Sequence, residues 1–234
     1  VRTERGIITP RSRCLLAAAA PRERDAVLGA FDHAVANDPD ALITLNARFD
    51  LVVTGVGKAR AAAMTTRALL ASSYGSVLSV GVAGALPRDD APPIGAVVGA
   101  TRSVFADEGI GAPDRFIPMS ELGFGAFPGG AMSIDHDGDL LSMLAPDRRG
   151  AIATVSWCSG TDARACAVAE RTGAACEAME GAAVALAAAL HDGSIRTGEL
   201  RAISNTTGDR SAQTWDLDAA LGSLTRALRA ARGA

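Results

Sequence analysis

Leu51-Val52-Val53-Thr54-Gly55-Val56-Gly57-Lys58 decides the fold class. Its first four residues form a short apolar, β-branched run that reads as a buried strand. Two glycines then permit a tight turn, and the alanine-rich run from Lys58 to Ser72 reads as a helix. The same passage from strand into glycine recurs at Ser79-Val80-Gly81-Val82-Ala83-Gly84-Ala85-Leu86. Working outward, Cys14 to Ala19, Leu51 to Thr54, Val77 to Val82, Ala96 to Ala100, Ile152 to Ser156 and Leu200 to Ile203 read as buried strands. Helices are expected at Glu23 to Ala36, Lys58 to Ser72, Asp162 to Thr172, Glu177 to Leu190 and Leu217 to Ala231. This alternation predicts an α/β fold: a single domain with a mainly parallel central sheet flanked by helices. A polar, basic arm at residues 1–13 precedes a domain expected to span residues 14–234.

The glycine turns exclude two familiar nucleotide sites. A phosphate loop ending at Gly57-Lys58 needs glycine where Val52 stands and Ser or Thr where Ala59 stands. A dinucleotide fingerprint is met at neither turn. The second turn nevertheless lies at the carboxyl end of a central strand, where open α/β sheets bind their ligands. From Phe105 to Asp139 the pattern gives way to a Gly- and Pro-rich excursion, long for a connection within one domain and of the kind that borders ligand sites.

With 234 residues, 48% of them hydrophobic and only 4% aromatic, the chain can bury a full core packed by small aliphatic side chains. A formal charge of -3 gives no general attraction to nucleic acid or to anionic membranes, so a small polar metabolite is the expected partner. Cys14, Cys158, Cys166 and Cys176 lack CxxC spacing, and buried free thiols of a cytoplasmic protein are expected. The apolar runs Leu15 to Ala20 and Val184 to Leu190 are too short for a secretion signal or a membrane span. His33, His136 and His191 are scattered and read as surface or loop residues. Asp135-His136-Asp137-Gly138-Asp139 lacks calcium-loop spacing and reads as an exposed acidic loop, with no metal expected.

Glu177-Ala178-Met179-Glu180-Gly181-Ala182-Ala183 sets two carboxylates ahead of an alanine-rich run. Acidic residues are favoured beside a helix N-terminus, so a charged first turn is one reading and a functional acidic pair the other. Read in order with Leu15 to Glu23, Thr54 to Ala62, Gly81 to Leu86, Phe105 to Ile110, Ser159 to Ala163, Arg201-Ala202-Ile203-Ser204-Asn205, Gly208-Asp209-Arg210 and Trp215, this stretch resembles the purine nucleoside phosphorylase and nucleosidase superfamily. Within it the order and spacing are most similar to the futalosine hydrolase branch, over about Cys14 to Leu224.

The resemblance implies cleavage of an N-ribosidic bond through a sugar cation, without metal or organic cofactor. Glu180 matches the glutamate that binds the ribose hydroxyls, and its charge suits the developing cation. Met179 matches the residue packed on the sugar. Glu23 matches the carboxylate that activates water; a charge at a helix start is its alternative. Asn205 stands where adenine-specific relatives carry aspartate, and its amide can donate to N7 or O6 of a 6-oxopurine, which implies hypoxanthine as leaving group. Further substrate contacts are implied for Val82, Ala83, Gly84, Thr161, Asp162, Glu177, Ser204 and Arg210. Glu177 also reads as a structural helix start. Arg210 and Arg164 are candidates for the substrate's carboxylate, and Trp215 either lines the pocket or caps the last helix.

Ser79 stands where phosphorylases of the superfamily carry a phosphate-clamping arginine, which favours water as nucleophile. The expectation is thus a cytoplasmic, homo-oligomeric nucleosidase releasing hypoxanthine from futalosine in menaquinone biosynthesis. A phosphorylase, a methylthioadenosine-type nucleosidase and a purine-binding protein without catalysis are the alternatives.

Overall fold

The computed structural model describes residues 13–34 and 42–233. In chain order the elements are β1 (Cys14–Ala18), α1 (Pro21–Ala30), β2 (Ile43–Thr44), β3 (Phe49–Val53), α2 (Lys58–Ala71) and β4 (Ser76–Ala85). There follow β5 (Val97–Phe105), β6 (Gly109–Gly111), β7 (Phe116–Pro118), β8 (Ser133–Asp135), α3 (Gly138–Ser142) and β9 (Arg148–Thr154). The chain closes with α4 (Asp162–Thr172), β10 (Ala174–Ala178), α5 (Gly181–His191), β11 (Arg196–Thr206) and α6 (Leu217–Gly233). The six expected strands and four of the expected helices lie where the sequence places them, their ends moved by a few residues. The expected end of the first helix at Ala36 and residues 1–12 of the expected arm lie outside the described residues. Arg13, the last residue of that arm, is bound into the fold by an ion pair with Asp50 at 2.5 Å.

The fifth helix is a correction. Glu177 belongs to β10, and α5 begins only at Gly181, with Glu180 as its N-cap residue. Ala174-Ala175-Cys176-Glu177-Ala178 has the composition of a helix, but its backbone is claimed on both sides. It pairs in parallel with β9 and antiparallel with the end of β4, and tertiary pairing overrides local propensity.

The nine-stranded sheet runs β10-β9-β5-β11-β4-β1-β3-β2, with β8 on β5. Parallel pairs join β1 to β3 and β4, β11 to β4, and β9 to β5 and β10. Antiparallel pairs make the remaining joins, β11 to β5 and β10 to β4 among them, so the sheet is mixed. Beyond Val80, where β1 ends, the free edge of β4 is taken up by β10 at Gly84 and Ala85. The sequence β10-β9-β5-β11-β4-β10 is therefore a closed circuit. Ala83, Ala85, Val98, Ala100, Ile152, Cys176, Ala178 and Ile203 form the core of those strands, and residues this small suit the inside of so tight a ring.

Helices α1 and α6 cover one face of the sheet and α2 and α5 the other. Ala220, Leu224, Leu228 and Ala231 of α6 recur at helical spacing, which turns one stripe inward and leaves the arginines outside. Among the described residues no helix is long and apolar enough to cross a membrane.

Three smaller expectations change. All four cysteines are free, but only Cys14 and Cys176 are buried. Cys158 lies on the loop before α4, and Cys166 faces outward because α4 turns Ala165, Val168 and Ala169 inward. His136 is not a surface residue: Nε2 lies 2.7 Å from Ser103 Oγ and Nδ1 3.1 Å from Thr197 Oγ1. Nor is its segment a free acidic loop, since Asp135 ends β8 and Asp137 caps α3 by accepting the Leu140 N–H.

Candidate active site

β11 carries a charged residue into the middle of the molecule. Arg201, 1% exposed, lies opposite Gly81 of β4, and a side chain at Gly81 would collide with its guanidinium and with the Glu23 carboxylate. Burial of so strong a cation is tolerated only with partners. Nε donates to Glu199 Oε1 at 2.8 Å, Nη2 donates to Ser79 Oγ at 2.8 Å, and Nη1 lies 3.4 Å from Glu180 Oε2. The three surrounding carboxylates raise the pKa of Arg201 further, against the effect of burial.

Glu180 is held at the head of α5. Its Oε1 accepts the Gly57 N–H at 3.0 Å and its Oε2 the Met179 N–H at 3.3 Å. Gly57 has φ of 94°, a conformation closed to most residues, so the glycine turn that decides the fold also aims an N–H at this carboxylate. Burial pushes the Glu180 pKa up, Arg201 and the Gly57 N–H counter it, and Glu23 and Glu199 add to the rise.

Glu23 sits one turn into α1, where its Oε2 accepts the N–H groups of Ala19 at 3.0 Å and Ala20 at 2.9 Å. Its Oε1 accepts Val82 N–H from the end of β4 at 2.8 Å. Glu23 thus caps the helix start, one of its two readings, and also stands beside Arg201. With two lone pairs per oxygen, Oε1 retains one for another donor.

Asn205 reaches this place through a β-bulge. The β11–β4 register shifts between Ile203 and Asn205, which re-aims the strand at its end. Asn205 lies opposite Gly84, as does Glu177 from the other side. Its Oδ1 accepts from Ser204 Oγ at 2.9 Å and its Nδ2 donates to Thr206 O at 2.8 Å, which leaves one amide N–H to offer.

Glu177, three residues before Glu180, is committed elsewhere. Oε1 accepts the Ser159 N–H and Oε2 the Ser159 Oγ–H, both at 2.6 Å. Desolvation raises its pKa and the two Ser159 bonds oppose the rise. Thr161 caps α4 through the Arg164 N–H, and Asp162 exchanges bonds with Asp209, both N···O distances near 3 Å. Met179 packs beside the core of the α4 face, Val82 and Gly84 flank Glu23 and Asn205, and Ala83 O accepts from Ser204 Oγ at 3.3 Å. The structure thus brings Glu23, Glu180, Val82 and Arg201 together, with Asn205, Ser204, Gly84 and Glu177 at the strand ends beside them.

Arg210 and Arg164 lie at the rim. Arg164 is matched by Asp107 at 3.3 Å and by Trp157 O at 2.9 Å, and it stacks on the Trp157 ring at 4.0 Å. Arg210 is exposed, bonds Gln213 Oε1 at 2.9 Å and stacks on Trp215 at 4.9 Å. Trp215 pairs with Asn205 by an isolated bridge, so it stands beside the strand end and does not cap α6. Two clefts, of about 630 and 430 Å³, open past Trp157; both are lined by Arg164 and Arg171, and neither reaches Glu23, Glu180 or Asn205. We place the site by the convergence of groups, since the clefts hold no comparable set.

Several groups escape the sequence reading: Gly57 as a donor, Ser159 as the partner of Glu177, and Glu199 as the counter-ion of Arg201. One signal was present. Glu199-Leu200-Arg201 puts two charges of opposite sign, two residues apart, in an otherwise apolar strand, which places them on one face.

Comparisons agree with this frame. Residues 44–233 match the model of the phosphorylase superfamily. The chain is 38% identical over 228 residues to a futalosine hydrolase of Streptomyces coelicolor, covering 92% of each chain. It is 39% identical over 225 residues to one of Acidothermus cellulolyticus, covering 92% of this chain and 88% of that one. A solved futalosine hydrolase from Helicobacter pylori, at 20% identity, superimposes with a TM-score of 0.74 over 95% of this chain and 98% of its own. By the span of that family match and the full-length identity to these relatives, the chain belongs to the phosphorylase superfamily.

Proposed function

We propose that the chain is a nucleosidase that hydrolyses the N-ribosidic bond of futalosine, releasing hypoxanthine and dehypoxanthine futalosine for menaquinone biosynthesis. The observation that carries the reading is its similarity, over nine-tenths of its length, to curated futalosine hydrolases. The geometry supplies the roles. Glu180, weakly paired and buried, faces the ribose hydroxyls and stabilises the positive charge that develops as the bond from C1′ to the base breaks. The bonding electrons leave with the base, whose anion takes a proton from solvent to become hypoxanthine, matched by the proton that Glu23 afterwards releases. Water adds to C1′ and gives its proton to Glu23, whose Oε1 has a lone pair to receive it.

Asn205 favours a 6-oxopurine. Its Nδ2 has one N–H left to give, and both N7 and O6 of hypoxanthine accept; Ser204 takes only one of the two lone pairs on Oδ1. Directed at the 6-position, that N–H is accepted by O6 of hypoxanthine and not by the N6 amino group of adenine. Water is favoured over phosphate because the arginine at the site, Arg201, is already committed to Glu199, Ser79 and Glu180. Arg210 serves the substrate's carboxylate, since the charge of Arg164 is already matched by Asp107. Exposed Leu70 on α2 and Leu190 on α5 support a homo-oligomer, and the reading carries a cytoplasmic location with it.

The test is base release from futalosine, its 6-amino analogue, inosine and methylthioadenosine, with and without phosphate. Hypoxanthine release from futalosine that does not depend on phosphate is expected. Phosphate-dependent release would make the protein a phosphorylase, and no release from any of the four would overturn the proposal.

A further inference from the structure

We infer that Glu199 is a positioning residue: locked from behind by Ser103 and His136, it holds Arg201 by Nε and so keeps the Glu180 carboxylate free to face the sugar. The inference deepens the nucleosidase reading and rests on it for the role of Glu180.

The argument begins with charge. Glu23, Glu180 and Glu199 are all buried around one guanidinium, so the cation is outnumbered and its allocation matters. Glu199, 0% exposed, takes the in-line bond from Nε at 2.8 Å, while Glu180 is left at 3.4 Å. A space has been kept for it: a side chain on Gly181, the first residue of α5, would collide with the Glu199 carboxylate.

The other oxygen of Glu199 is also engaged, and the direction of the bonds at Ser103 follows. As an ion pair partner the carboxylate only accepts, so Ser103 must give it its single hydroxyl proton. Ser103 Oγ then accepts from His136 Nε2–H at 2.7 Å, and His136 Nδ1 lies 3.1 Å from Thr197 Oγ1. Burial lowers the His136 pKa, against the pull of Glu199, and favours the neutral ring. The chain of donors ends on Glu199 and supplies no further cation. Arg201 thus remains the one guanidinium on this carboxylate among the described residues.

The groups facing Glu180 are Glu23 from α1, the Gly57 N–H before α2, Cys158 from the loop before α4, and Arg201 and Glu199 from β11. Those facing Glu199 are Ser103 from β5, His136 after β8, Cys176 from β10, Glu180 at the head of α5, and Arg201. Without the charge of Glu199, Arg201 has only Glu180 and Glu23 to turn to. A tighter pair would form, and Glu180 would ionise more readily but hold its charge on Arg201 and not on the sugar.

The test is the titration of the Glu180 carboxyl followed by 13C NMR in the parent and in Glu199→Gln, with Glu180→Gln to assign the signal. The midpoint is expected to fall by about one pH unit, the size of shift a neighbouring charge produces. In futalosine turnover, kcat is expected to fall about tenfold with KM nearly unchanged, and the acid limb of kcat/KM to move to lower pH. An unmoved midpoint would overturn the inference. A parent that titrates as expected but turns over no futalosine would defeat the nucleosidase reading and leave the titration result standing. Should Glu199→Gln not fold, Ser103→Ala keeps the carboxylate and removes its lock; a smaller shift of the same sign is expected, and a curve superimposed on the parent's would overturn the inference.

Discussion

The end of β10 and the start of α5 hold two glutamates three residues apart, both buried and both with pKa raised by desolvation. Their partners separate them. Glu177 receives two short bonds from one residue, Ser159, and ties the loop after β9 to the strand. Glu180 receives backbone N–H groups at 3.0 and 3.3 Å and an arginine at 3.4 Å, each longer than either bond to Glu177. Burial alone does not mark a reactive carboxylate. What distinguishes one is burial with incomplete compensation, because the charge then remains available to a ligand.

The contrast can be broken most sharply at Glu180. Glu180→Gln is expected to lower kcat/KM about a thousandfold, on the scale of lost transition-state electrostatics, while circular dichroism and the thermal midpoint stay near the parent's. A variant retaining a tenth of the activity would remove the distinction altogether. Glu23 combines both patterns, with three backbone donors and one spare lone pair. Glu23→Gln should cost about a hundredfold in kcat, the lower range for a general base, with KM little changed in steady-state assays.

Anchoring is separable from chemistry at the rim. Arg210→Ala is expected to raise KM for futalosine about tenfold at constant kcat, the loss of one charge-assisted bond, and to leave inosine kinetics unchanged. Arg164→Ala, whose charge Asp107 already matches, should alter KM far less.

The smallest effect belongs to Glu177. Glu177→Gln should change kcat by no more than about threefold, since one of its two bonds survives. Its signature is in stability against pH. With the folded-state pKa raised, the native protein keeps the Glu177 proton over a window above the ordinary carboxylate range, so stability falls as pH rises through that window. Glutamine has no proton to lose. The urea midpoint of the variant relative to the parent should therefore climb as pH is raised through the window, and a flat difference would show that Glu177 is not desolvated.

Much of this was legible in the sequence. Strand-glycine-helix punctuation located β3, β4 and α2, because backbone requirements are local. The order of motifs also led to Glu23, Glu180 and Asn205, which the fold then gathers around the ends of β4 and β11. What could not be read was pairing at a distance. Glu177 and Ala178 read as the first residues of a helix until β9 and β4 claim the two edges of their strand. Glu199, Ser103 and His136 meet across three separate segments, and no periodicity announces a polar contact of that kind. In the sequence the glycine turn reads as a means of bending the chain, whereas Gly57 also serves as a donor to Glu180.

The closed circuit of β10, β9, β5, β11 and β4 has a consequence for motion. A ribbon of strands can peel from its margin one hydrogen bond at a time; a hoop offers no margin from which to begin. Gly84 is the rivet of that hoop, meeting Glu177 on one side and Asn205 on the other. The two residues are thereby gauged against a single backbone position, and their separation should hold until the hoop as a whole comes apart.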